Sequence, residues 1–101
     1  MPIKVIIVDD HTVIREGLQM LLQSDPAIKV IATCSTGIIA ISEIRKLKPD
    51  VVIMDISMPD MDGIEATRHL TESESSAKVI ILSMHGSTEH VQRALKAGAV
   101  G

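Results

Sequence analysis

The chain has 101 residues, 46% hydrophobic and 23% charged, which is enough for one core of modest size and too little for two. It contains no Phe, Tyr or Trp, so the core must be aliphatic, and a formal net charge of −3 offers no general attraction for nucleic acid or anionic membrane. Its single cysteine, Cys34, excludes an intrachain disulfide and a Cys-x-x-Cys metal or redox pair, and reads as a small core residue.

The start, Met1 to His11, lacks the long apolar stretch of a signal peptide or membrane span, which makes the cytoplasm the expected compartment. Lys4 to Val8 is a β-branched run and predicts a parallel strand buried on both faces. It stops at Asp9-Asp10. Thr12 offers a helix N-cap, Ile14, Leu18, Leu21 and Leu22 recur at helical spacing, and Asp25-Pro26 ends the segment after Ser24. A second strand is expected from Lys29 to Ala32. Ser35-Thr36-Gly37 turns the chain into a second helix with the stripe Ala40, Ile41, Ile44 and Leu47, closed by Lys48-Pro49-Asp50. Val51 to Met54 forms the third strand and again stops at an aspartate, Asp55. Ser57 to Asp62, holding Pro59, reads as a loop that opens a helix from Gly63 to Thr71. After a polar turn, Ser73 to Ala77, the fourth strand runs from Lys78 to Leu82. Ser87 or Thr88 then caps a last helix with the stripe Val91, Ala94 and Leu95, ending at Gly98.

Alternation of strand and helix, with short connections and no linker or repeat, implies an α/β fold. The sheet is parallel, its crossovers are right-handed, and helices cover both faces. In such a sheet Asp9, Asp10 and Asp55 converge at the carboxyl edge, where ligands bind. Each pair of these carboxylates repels by roughly 4 kcal/mol at about 4 Å and an effective dielectric of about 20. A cation would offset this, and hard oxygen donors favour Mg²⁺. The plainer alternative is that each aspartate only caps a helix or turn. Asp55 is also a plausible nucleophile, since a carboxylate can accept a phosphoryl group as an acyl phosphate. Ser83 ends the fourth strand, where its hydroxyl either reaches a phosphoryl oxygen or satisfies the following turn. His11, His69, His85 and His90 form no ligand-like pair on one helix face, so no metal is assigned to them. His85, next to Ser83, is a candidate modulator. Lys96 reads as a solvated helix residue, and of Ile38 and Ile39 one is expected in the core and the other exposed. The six methionines read as gap-fillers in a core without aromatics.

Asp9-Asp10, then Lys48 to Asp55, then Met58-Pro59 with Met61-Asp62-Gly63, then Ser83 and Lys96-Ala97-Gly98-Ala99 resemble the receiver domain of two-component response regulators. Asp9-Asp10-His11 and Leu82-Ser83-Met84-His85 are most similar to the NarL/FixJ group, whose members carry a LuxR-type helix-turn-helix. The resemblance implies a doubly wound, flavodoxin-like (CheY-like) sheet in strand order 2-1-3-4, with the family's fifth strand and fifth helix missing. Residues 1–101 would then be a truncated receiver, the DNA-binding domain of the parent protein being absent. It further implies that Asp55 is the phosphoacceptor, fed by a sensor histidine kinase, and that Mg²⁺ is held by Asp10, Asp55 and the Ser57 backbone carbonyl, with Asp9 acting through water. Ser83 would be the switch hydroxyl, and Pro59 and Gly63 would shape the adjoining loop. Such a domain is not an enzyme beyond promoting its own phosphorylation and dephosphorylation, contacts DNA only through the absent domain, and has no membrane partner.

The chain departs from the family in stopping at Gly101, before the strand that carries an aromatic switch residue and a lysine. The fourth strand is therefore expected to present an open edge, with self-association, element exchange or lower stability than a full receiver as the outcome. Two other readings stand beside the main one. The first is a receiver-like interaction module that is not phosphorylated. The second is a Mg²⁺-dependent phosphohydrolase with an aspartyl nucleophile, although Ser57 stands where that family's motif has a second Asp.

Overall fold

Four apolar runs form strands, and the amphipathic segments between them form helices. The computed structural model describes residues 2–55, 63–72 and 77–82, together with Lys96 and Gly98. In chain order the elements are β1 (Ile3–Val8), α1 (Thr12–Gln23), β2 (Ile28–Cys34), α2 (Gly37–Leu47), β3 (Val51–Asp55), α3 (Gly63–Glu72) and β4 (Lys78–Leu82). All pairings are parallel, in the order β2-β1-β3-β4, the doubly wound receiver order that the resemblance implies. The expected fourth helix lies outside the described residues except for Lys96, which is helical and exposed, and Gly98, a turn residue at φ 116°. Among the described residues no helix is long and apolar enough to cross a membrane.

Val5 to Val8 are all buried, because β1 is covered on both faces. On one face Val5, Ile7 and Val30 pack with Leu18 and Leu22 of α1. On the other, Ile6, Val8, Cys34, Val52, Met54 and Val79 pack with Ala40 and Ile44 of α2 and Ala66 and Leu70 of α3. Full burial of one such side chain contributes about 1.5–3 kcal/mol, so this second layer supplies most of the cohesion. Cys34 is buried within it, and burial, reinforced by the charge of Glu43, pushes its thiol up to about 11. It is a packing residue and stays protonated at neutral pH.

Local chemistry sets the helix ends. Thr36, in extended conformation, caps α2 by accepting the Ile39 N–H at its side-chain oxygen, 3.2 Å away. At the other end Lys48 adopts the left-handed conformation (φ 50°, ψ 63°) and donates its N–H to the Ile44 carbonyl at 2.9 Å, after which buried Pro49 prevents continuation. At the amino edge of the sheet, Asp50 ties three strands together. Its carboxylate accepts the Lys4 N–H at 2.9 Å, its N–H donates to the Lys4 carbonyl at 2.9 Å, and its carbonyl accepts the Lys78 N–H at 3.0 Å.

Several expectations are corrected. Thr12 is the first residue of α1 rather than its cap; His11, extended at φ −93° and ψ 111°, holds the cap position without a side-chain capping bond. Leu21 is 69% exposed, because Leu18 and Leu22 face the sheet and the helical turn places Leu21 on their flank. Ile38 and Ile39 are both exposed, at 61% and 50%, since Gly37, Ala40 and Ile44 take the inward stripe of α2. Strand β2 runs two residues further than expected, to Cys34, and carries a bulge. Val5 pairs with Val30 while Ile6 pairs with Ala32, leaving Ile31 as the extra residue.

Candidate metal centre at the carboxyl edge

The parallel register builds the site. Val8 lies opposite Met54, so the next residue of each strand, Asp9 and Asp55, reaches the carboxyl edge at the same level, and Asp55 lies opposite Leu82 of β4. Asp9, Asp10, His11 and Asp55 thereby present ligand atoms that all lie within 4.8 Å of one another. The three aspartates named from the sequence are brought together. Ser57, Pro59, Ser83, His85 and His90 lie outside the described residues.

Asp9 is 2% exposed and fixed on every side. Its N–H donates to the Cys34 carbonyl at 3.0 Å, extending the β1–β2 ladder by one rung. Its carbonyl accepts from the Arg15 guanidinium at 2.7 Å, and its Oδ1 accepts the His11 backbone N–H at 2.8 Å. The His11 ring closes the arrangement, with Nδ1 2.9 Å from Asp9 Oδ1 and 3.0 Å from Asp10 Oδ1. The hydrogen bond to Asp9 and the negative charge of Asp10 raise the His11 pKa above its ordinary 6.5. Asp55 is 8% exposed, with its Oδ2 shielded from solvent, while Asp10 and His11 face water. Two carboxylates are thus held largely out of water beside a third. Such grouping is costly unless a cation or hydrogen-bond donors offset it. The carboxylate oxygens of the donor set fit a hard divalent cation, and one imidazole nitrogen lies beside them.

Sequence reasoning missed His11 and Arg15. The sequence assigns His11 no metal, whereas in the structure its ring nitrogen lies among the carboxylates; the available signal is adjacency to Asp9-Asp10 at a strand-to-helix turn. Arg15 sits one helical turn after His11 and returns to the Asp9 carbonyl while its other nitrogen reaches Thr12 Oγ1 at 3.3 Å. It fixes the backbone that aims the aspartates.

Comparison with known proteins agrees with this fold. Residues 5–101 match the response regulator receiver domain, and the chain belongs to that family. It is 40% identical over 99 residues to the transcriptional regulatory protein DegU of Brevibacillus brevis, an alignment covering 98% of this chain and 42% of that protein. It superposes on a LuxR-family two-component response regulator from Aurantimonas sp. SI85-9A1 with a TM-score of 0.95 at 35% identity, over 100% of this chain and 72% of the other. It also superposes on a chain of the CheX-CheY-BeF3-Mg complex from Borrelia burgdorferi with a TM-score of 0.92 at 31% identity, over 99% and 75% of the two chains. The chain therefore spans less than half of the regulator's length and about three quarters of these solved chains.

Proposed function

We propose that this chain is the phosphoacceptor domain of a response regulator, with Asp55 as the residue that takes the phosphoryl group from a sensor histidine kinase. The observation that carries the reading is the convergence of Asp9, Asp10 and Asp55, from the ends of two parallel strands, within 4.8 Å in a chain of the receiver family. The likeness to a CheY complex containing BeF3 and Mg supports it. In the step proposed, an Asp55 carboxylate oxygen attacks phosphorus, the P–N bond of a phosphohistidine breaks as the P–O bond forms, and the imidazole leaves with the electron pair. Asp10, Asp55 and the Ser57 carbonyl are the proposed holders of Mg²⁺, and Asp9 acts through water. A bound Mg²⁺ supplies positive charge that neutralises the transferring phosphoryl oxygens. Burial of Asp9 keeps its carboxylate fixed at the site, and exposure of Asp10 leaves the side through which a cation and a phosphodonor arrive open. Ser83 is proposed as the hydroxyl that answers the phosphoryl group.

Control of transcription belongs to the whole regulator of which this domain would be part, through a DNA-binding segment. Self-association along the outer edge of β4, the last strand of the sheet among the described residues, belongs to the same reading. The chain and its Asp55→Asn variant are incubated with a small phosphodonor and Mg²⁺, and intact mass is measured. A mass increase of one phosphoryl group is expected in the parent chain, lost on chelation of Mg²⁺ and absent from the variant. An adduct that persists in Asp55→Asn, or none in the parent chain, defeats the assignment.

A further inference from the structure

We propose that His11 supplies a nitrogen ligand to the cation held by the aspartates, so that this site favours first-row transition ions over Mg²⁺ more than its carboxylates alone would. The inference rests on the reading of Asp10 and Asp55 as metal ligands and extends it to ion selectivity.

Three features of the site support it. Nδ1 of His11 stands 2.9 Å from one carboxylate oxygen and 3.0 Å from another, on two different residues. In an octahedral shell with bonds of about 2.0–2.1 Å, neighbouring ligand atoms are about 3 Å apart, so Nδ1 already stands at the spacing of an adjacent ligand to Asp10 Oδ1, while the hydrogen bond to Asp9 Oδ1 holds the ring in place. The residue is also placed by its backbone, not by chance contact of a long side chain. His11 is in extended conformation directly before α1, and its N–H is bonded to the same Asp9 oxygen that faces the ring. Finally, the ring is 60% exposed. It can exchange hydrogen bonding for coordination without disturbing the packed layers.

Coordination needs the neutral ring with its proton on Nε2, which leaves the Nδ1 lone pair facing the carboxylates. Mg²⁺ has little affinity for imidazole and retains water in preference. Transition ions accept imidazole readily, which is the physical source of the selectivity.

The test uses Mn²⁺ and Mg²⁺ as the only ligands, without any phosphodonor. Bound Mn²⁺ is examined by electron spin echo for modulation from a directly bonded ¹⁴N, and both affinities are measured by titration calorimetry. These measurements are made in the parent chain, His11→Ala, His11→Gln and Asp10→Asn, with folding verified by far-UV circular dichroism. The proposal expects ¹⁴N modulation in the parent chain and its loss in both His11 variants. It also expects the preference for Mn²⁺ over Mg²⁺ to fall by about tenfold, with Mg²⁺ affinity changing by less than about threefold. An echo without ¹⁴N modulation, or an equal shift of both affinities, overturns it while leaving the acidic site intact. If the parent chain binds neither ion, or Asp10→Asn binds both as tightly as the parent, the underlying metal-site reading fails as well.

Discussion

At the scale of single residues, the His11 ring meets two carboxylates through one nitrogen, and its protonation state is linked to folding. Its folded-state pKa is raised, chiefly by the hydrogen bond to Asp9 and then by the charge of Asp10. A raised value means that the protonated ring is favoured by the folded protein. The contribution is fully present below about pH 6.5 and is lost as pH rises through the folded-state value. With metal chelated, stability of the parent chain should therefore decline across that window, and His11→Ala should show a flatter profile. Chemical unfolding at stepped pH, followed by circular dichroism because the chain has no aromatic reporter, makes the comparison. Identical slopes would remove His11 from the linkage. The three aspartates were legible in the sequence because two apolar runs each end at one, and strand pairing then has few ways to separate them. The position of the His11 ring was not, because it depends on the backbone angles of one residue between strand and helix, which no periodicity encodes.

At the scale of elements, the end of α2 stores a local cost. Lys48 is the only described residue other than glycine with positive φ, a conformation that brings a side chain's Cβ against the following carbonyl. Lys48→Gly removes about 1–2 kcal/mol of that conflict and adds about 0.5–1 kcal/mol of chain entropy to the unfolded state, for a net gain near 0.5–1 kcal/mol. Arg45 and Lys46 keep positive charge in the last turn, so the interaction with the helix dipole survives the change. Urea unfolding should show a higher midpoint at unchanged slope, and a lower midpoint would contradict this account. Pro49 announced the helix end in the sequence, but the αL cap itself did not show, because lysine is not a residue that signals it. Ile38 and Ile39 illustrate the same limit. Hydrophobicity suggested that one would be inward, yet Ala40 and Ile44 already complete the buried stripe.

At the scale of the whole molecule, alternating apolar runs and helical stripes sufficed for a parallel α/β sheet, while strand order came through the family resemblance. What periodicity could not reveal is how β2 serves both layers. Val30 belongs with Val5 and Ile7 on the α1 side, but Cys34, four residues later, belongs with Val8 on the side of α2 and α3. Residues an even number apart in a regular strand share a face. The extra residue, Ile31, resolves the contradiction by changing the phase of the strand.

The bulge therefore acts on β2 as a frameshift, and single-residue deletions become a way to read the frame. Removing Ile31 restores an uninterrupted ladder in which Val30 still meets Val5, Ala32 still meets Ile6 and Cys34 still meets Val8. Removing Thr33 instead retains the bulge and leaves the strand one residue short of its partner at the carboxyl edge, where Asp9 bonds to the Cys34 carbonyl. The first deletion should remain folded and keep its metal affinity, and the second should lose metal affinity before it loses its sheet. Circular dichroism and calorimetry on the two chains measure this, and the reverse order would show that β2 keeps its phase by some other means. On this view an insertion in an outer strand sets how one carboxylate is presented at the carboxyl edge of the sheet.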